Sequence, residues 1–177
     1  WGEQFELADS VMGLKNTEYT HSGLNTQDGP HSYMVVFWNV SPGNRFPVGT
    51  PQIASSSFLD VFSGYGEQLY LNYFSNTPWT DTSYVIYRAD QREGPYDSVA
   101  RVQSLDFMDT GLQNENTYYY KVKHVGFYSI QGEGVPNPIY NTSQISSGEV
   151  FDTIPPCIPE LDVQSMCDDK YNQLAWQ

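Results

Sequence analysis

The sequence is poor in positive charge and in long apolar runs. Lys and Arg together number 8 against 21 Asp and Glu, which gives a formal charge of −13. Binding to nucleic acid or to an anionic membrane surface requires clustered Lys and Arg, so we expect neither partner. The longest apolar run is Met34 to Trp38, far below the roughly 20 residues of a membrane-spanning helix. Membrane insertion is therefore not expected.

Cysteine is also scarce. Cys157 and Cys167 are the only two, too few for a disulfide framework. An extended strand between them would separate their Cα atoms by as much as about 30 Å, so we expect no direct bond and leave their partners open. Residues 1–10 have neither the basic nor the apolar region of a signal peptide. We expect the chain to be an internal stretch of a longer polypeptide.

Aromatic and turn-forming residues are abundant. The chain has 14 Tyr, 9 Phe, 4 Trp, 14 Gly and 11 Pro, while its charged fraction of 16% is low. Aromatic residues favour strands, and Gly and Pro favour turns. The composition therefore predicts an all-β fold with many turns.

Internal repetition divides the chain into three units. A shift of 88 residues aligns Asp9-Ser10-Val11 with Asp97-Ser98-Val99, and a shift of 102 aligns Leu59-Asp60-Val61 with Leu161-Asp162-Val163. The implied repeat of about 90 to 100 residues is the size of an immunoglobulin-like sandwich. The phase predicts the later half of one unit at 1–50, a complete unit at 51–153 and the opening strands of a third at 154–177.

The complete unit is predicted to contain seven strands. Alternation and turn residues place them around Leu59–Val61, Leu69–Tyr73, Tyr84–Arg88, Asp97–Val102, Leu105–Met108, Tyr118–Val125 and Asn141–Phe151. Tyr73, Tyr84, Tyr118 and Tyr120 lie on the apolar faces and are predicted core residues. Trp79 follows Pro78 in a loop, where it either packs over the sandwich end or stands exposed as a contact residue.

Three of these features resemble the fibronectin type III module. They are the aromatic Tyr73 that ends the second strand, with Trp176 as its repeat equivalent, the pair Gly111-Leu112, and Tyr118 six residues after that leucine. The resemblance implies tandem fibronectin type III β-sandwiches, one complete and two partial. It also implies that Tyr118 is buried, with its hydroxyl bonded to the backbone near Leu112 to Asn114 in a tyrosine corner. The first unit departs, because Tyr33 lies nine residues after Leu24.

Three longer phrases resemble repeats of large secreted Bacteroidota proteins linked to gliding motility or type IX secretion. They are Asn76-Thr77-Pro78-Trp79 followed by Tyr84-Val85-Ile86-Tyr87-Arg88, then Phe107-Met108-Asp109-Thr110-Gly111-Leu112, and then Asp152-Thr153-Ile154-Pro155-Pro156-Cys157. The resemblance implies an extracellular or cell-surface location, after export across the outer membrane. It also implies O-glycosylation where Asp is followed by Ser or Thr and then by an aliphatic residue or Thr, which points to Ser10, Ser98 and Thr153. Such short motifs also arise by chance, and Asp-Ser can simply open a strand.

No catalytic pattern is found in the sequence. His21, His31 and His124 have no metal-ligand spacing and are interpreted as turn or exposed-strand histidines. No nucleophile elbow, phosphate-binding loop or dinucleotide fingerprint is present, so we expect no enzyme activity, no cofactor and no metal. The acidic pair Asp168-Asp169 alone does not supply the six to eight oxygens of a calcium site.

Three functions fit these expectations. The leading hypothesis is a non-catalytic spacer or interaction module whose partners are the neighbouring domains of its own chain. The second is an accessory module of a secreted hydrolase or adhesin that binds surface glycan through Trp79. The third is an envelope component that contacts outer-membrane secretion or gliding proteins.

Overall fold

The computed structural model describes residues 5–13, 15–49, 52–129, 137–151, 160–166 and 171–176. Its strands are β1 Ser32–Met34, β2 Phe37–Ser41, β3 Asn44–Val48, β4 Ile53–Ser55, β5 Phe58–Ser63, β6 Gln68–Phe74, β7 Thr80–Ala89, β8 Asp97–Val102, β9 Asp106–Thr110, β10 Thr117–Phe127, β11 Ile139–Thr142, β12 Ser146–Glu149, β13 Leu161–Met166 and β14 Tyr171–Trp176. Within these ranges no helix is present that could cross a bilayer. The predicted all-β class is confirmed.

Two antiparallel sheets form the centre of the molecule. One has the order β5-β6-β9, and the other has the order β11-β10-β7-β8 with β12 also pairing with β10. Their inward faces meet in one apolar cluster, which includes Leu59, Leu69 and Leu71 from the first sheet and Ile86, Tyr120 and Val122 from the second. This arrangement is consistent with a β-sandwich, whose layers are held together by burial of both apolar faces.

Strand β10 has the period-two pattern that the sequence predicts. Tyr118, Tyr120 and Val122 are buried, while Lys121 and Lys123 lie on the wetter face. The strand runs two residues beyond the predicted end at Val125, with a register shift between Val125 and Gly126. Strand β7 is likewise longer than its predicted core of Tyr84–Arg88. In both strands, backbone pairing extends beyond the residues that alternate between apolar and polar. Only that alternation can be read from the sequence.

The predicted final strand, residues 141–151, is instead two strands separated by residues 143–145. Side chains in and beside this gap form hydrogen bonds to the backbone in and just before β5. The Gln144 amide accepts from Leu59 N–H at 3.1 Å and donates to Leu59 C=O at 2.8 Å. Asn141 does the same for Ser57 N–H and Ser55 C=O. The Gln144 amide thus satisfies backbone groups on the outer edge of β5, and the Asn141 amide does so for the segment just before it.

Polar side chains tie the sheets together at the other end of the module. Tyr118 is buried, and its hydroxyl accepts a hydrogen bond from Gln113 N–H at 3.1 Å, as predicted for a tyrosine corner. Asp109 of β9 accepts from Arg88 of β7 at 2.8 Å and from the Tyr120 hydroxyl of β10 at 2.9 Å. One carboxylate therefore links both layers.

The segments outside this pair of sheets form shorter structures. The described residues before β1 contain no strand, and β2 and β3 form a hairpin. Strand β1 pairs with β4, so the predicted boundary between 50 and 51 falls between two paired strands. Strands β13 and β14 form a separate hairpin in which Leu161 is the register partner of Trp176.

Candidate functional sites: a buried imidazole and two sheet faces

A histidine on β10 is the centre of a buried polar array. Ser57 Oγ lies 2.6 Å from His124 Nε2, and Asp81 Oδ2 lies 3.0 Å from His124 Nδ1. The three residues come from the turn before β5, from β7 and from β10, so the sandwich itself brings them together. This corrects the sequence interpretation of His124, which is fully buried and not an exposed-strand histidine.

Aromatic rings enclose the imidazole. Tyr84 meets it edge-on at 4.8 Å between ring centroids, and Tyr73 does so at 5.8 Å. Ser75 Oγ adds a contact to Nδ1 at 3.2 Å. Burial lowers the pKa of His124, and the hydrogen bond and charge of Asp81 only partly offset this effect. Burial therefore favours the neutral ring, and the Asp81 carboxylate favours the tautomer with its proton on Nδ1, to whose Nε2 the Ser57 hydroxyl can donate.

The array has the hydrogen-bond order of a serine nucleophile, a base and an orienting carboxylate. Catalysis also requires access to substrate, and the exposed fraction of Ser57 is 3% while that of His124 is 0%. Because both side chains are buried, a substrate carbonyl cannot reach Ser57 Oγ. The array instead satisfies buried polar groups and joins three chain segments.

Trp79 packs over the sandwich end, which was one of its two predicted positions. Its indole N–H donates to Asp81 Oδ1 at 3.1 Å, and its ring meets Tyr128 edge-on at 5.8 Å. The ring lies against Gly126 so closely that a side chain there would overlap it. Trp79 is half-buried, and a part of its surface is therefore unavailable for stacking on a sugar.

The outer face of the larger sheet has tyrosines alternating with cations. Lys123 Nζ lies 5.6 Å from the Tyr87 ring centroid and 5.1 Å from that of Tyr140, and Lys121 Nζ lies 4.3 Å from that of Tyr96. Arg101 is exposed on the edge strand β8. We call this surface the tyrosine–lysine face; its members are Val85, Tyr87, Arg101, Lys121, Lys123 and Tyr140.

The outer face of the smaller sheet is apolar and acidic. Phe62 and Phe74 are each 47% exposed, and Met108 is 46% exposed. Phe62 stacks on Tyr70 with ring centroids 5.8 Å apart. We call this surface the phenylalanine–aspartate face; its members are Asp60, Phe62, Tyr70, Asn72, Phe74, Asp106 and Met108. Neither face is among the features predicted from the sequence, although alternate positions of the predicted strands contain the signal.

The remaining predicted residues are distributed as follows. Leu112 and Tyr73 are buried, and the Tyr73 hydroxyl donates to Ser104 C=O at 2.8 Å. Ser10 and Ser98 are exposed, which leaves their hydroxyls accessible for modification. Thr153, Cys157, Cys167 and the pair Asp168-Asp169 lie outside the described residues.

The other two histidines differ from His124. His21 is exposed and lies beside Tyr33, with ring centroids 5.9 Å apart. His31 is half-buried, and its Nε2 lies 3.0 Å from Asn25 C=O. Within the part of the chain that the structure describes, no group of three or more His, Cys, Asp and Glu residues could hold a metal.

Comparison of the chain with protein-family models and with curated proteins gives no match.

Proposed function

We propose that this chain is a non-catalytic spacer and interaction module of a larger extracellular bacterial protein linked to type IX secretion or gliding motility. Its units are proposed to be fibronectin type III sandwiches. The strand order of the two sheets and the Gln113–Tyr118 hydrogen bond support that family assignment. The secretion-linked context rests on the sequence phrases quoted above.

The non-catalytic role rests on one observation: the potentially reactive side chains are buried, while the apolar side chains that could bind a partner are exposed. Ser57 and His124 are sealed in the interior, whereas exposed aromatic side chains cover the outer faces of both sheets. Sandwich modules of this size place function on surfaces and loops. Exposed apolar patches on a soluble protein commonly mark interaction sites.

Chemical labelling tests the non-catalytic role directly. We expect no labelling of the native chain by a fluorophosphonate probe, with Ser57→Ala as the matched control. Labelling of the native chain that Ser57→Ala abolishes would contradict the proposal.

Protease treatment of intact cells of the native host tests the location, and the expected result is cleavage without cell lysis. A chain that is cut only after lysis would contradict the extracellular assignment.

Glycan binding through Trp79 is the second candidate. The indole N–H of Trp79 is already bonded to Asp81, so a sugar hydroxyl would have to compete for it. Binding of the chain to a glycan array that is lost in Trp79→Ala, but kept in Tyr65→Ala, would favour this candidate. Tyr65 is a suitable control because it is 85% exposed.

A further inference from the structure

We propose that the tyrosine–lysine face of one copy of this chain binds the phenylalanine–aspartate face of a second copy. The inference rests on the proposed interaction role and names its partner. It starts from two rows of side chains that lie on opposite outer surfaces of the module and have the same spacing.

The cationic row is set by strand register. Val85 of β7 pairs with Lys123 of β10 on one side and with Arg101 of β8 on the other. Neighbouring strands lie about 4.8 Å apart, so the backbones that carry the two cations are about 10 Å apart. Among the described residues, neither cation has a carboxylate within ion-pair distance.

The acidic row has the same construction. Asn72 of β6 pairs with Asp60 of β5 and with Asp106 of β9. The backbones that carry these carboxylates are also two strands apart, which is again about 10 Å. Both aspartates are exposed, and neither forms an ion pair with a described residue. The two charged pairs can therefore meet in register.

Aromatic rows flank both charged rows. On the cationic side, Tyr87 and Tyr140 lie on either side of Lys123. On the acidic side, one neighbouring row contains Phe74, and the other contains Phe62 and Met108. Contact would remove these half-exposed apolar groups from water while pairing the charges between them. Hydrophobic burial would supply affinity, and the charges would fix the register.

The net negative charge of the chain opposes this contact at long range but not between groups that touch. Two chains of charge −13 repel each other at long range. At 0.15 M salt the Debye length is about 8 Å, so the distant repulsion is screened while groups in contact still interact. The contact joins unlike surfaces and is heterologous, so each copy keeps one free face and association continues beyond a dimer.

Sedimentation velocity of the full chain at 0.15 M salt tests the proposal. We expect the wild type to show masses beyond the dimer as concentration rises. Two charge-reversed variants, Arg101→Glu with Lys123→Glu and Asp60→Lys with Asp106→Lys, should each lose affinity at least about tenfold because like charges then face each other. A mixture of the two variants should regain association beyond the dimer, because the reversed tyrosine–lysine face of the first variant then meets the reversed phenylalanine–aspartate face of the second, and their unaltered faces also match.

Control variants separate specific from general effects. Lys15→Glu with Arg45→Glu makes the same charge change as the first variant at exposed sites off both faces, and it should associate like the wild type. Far-UV circular dichroism checks that each variant is folded.

A wild type that stays monomeric at millimolar concentration overturns the inference, as does association that the charge reversals leave unchanged. Capture of an anionic polysaccharide by a monomeric wild type also overturns it. None of these outcomes contradicts the non-catalytic role, which the labelling experiment tests separately.

Discussion

The buried imidazole makes stability depend on pH in a direction that the structure defines. The pKa of His124 in the folded chain is below its ordinary value of about 6.5, chiefly because of burial. The unfolded chain therefore binds a proton at higher pH than the folded chain does. Unfolding becomes more favourable as pH falls below about 6.5, and the effect levels off below the folded pKa.

Only the one proton that His124 binds contributes to this change in the free energy of unfolding, which limits its size. The slope is at most about 1.4 kcal/mol per pH unit, so the free energy of unfolding falls by up to about 2 kcal/mol between pH 6.5 and 5.0. The groups that face the ring are the Asp81 carboxylate, the hydroxyls of Ser57 and Ser75, and the phenols of Tyr73 and Tyr84. Of these, the Asp81 carboxylate favours the protonated ring, and burial of the ring outweighs it.

Urea denaturation followed by far-UV circular dichroism at several pH values measures this slope. The test variant is His124→Gln, whose amide does not titrate and can still accept a hydrogen bond from Ser57. The matched control is His21→Gln, because His21 is exposed. We expect His124→Gln to be less stable than the wild type at pH 7.5. Below pH 6.5 its free energy of unfolding should fall less steeply with pH than that of the wild type, by the equivalent of about one proton. A slope that survives His124→Gln and disappears in His21→Gln would refute the reasoning.

Three further substitutions test other contacts. Tyr118→Phe removes the acceptor of Gln113 N–H and should lower the free energy of unfolding by about 1 to 2 kcal/mol; no change in a urea titration would show that this hydrogen bond is dispensable. Gly126→Val should displace Trp79, because the new side chain would overlap the indole ring; an unchanged near-UV spectrum would contradict that packing. Asp109→Asn leaves a partly exposed guanidinium and a buried phenol without their shared carboxylate, and should cost about 1 to 3 kcal/mol by the same titration. An unaltered midpoint would argue against that cross-sheet link.

The sequence was informative where one property repeats along a strand. Alternation located β10 and the buried faces of Tyr118 and Tyr120, because period two follows from strand geometry alone. The same alternation places His124 inward, two residues after Val122. The prediction for His124 is wrong because its position in the alternation, and not the usual exposure of histidine, decides its burial.

Long-range contacts could not be found in this way. Ser57 is 67 residues from His124, and nothing local to either residue signals the contact. The gap between β11 and β12 was missed for the same reason, because the Gln144 amide replaces strand pairing only when β5 lies opposite it. Such features depend on tertiary geometry, which a single sequence does not display.

The pairing of β1 with β4 has a mechanical consequence. The ladder joins only three residue pairs, supported by hydrogen bonds between His31 and Ser56. When the chain is pulled from its amino-terminal side, we expect this short ladder to separate before the larger sheets do. If the β2–β3 hairpin then opens as well, residues 35–52 extend to about 60 Å at roughly 3.4 Å per residue. The module would thus lengthen under load while its core stays folded, as an extensible tether does.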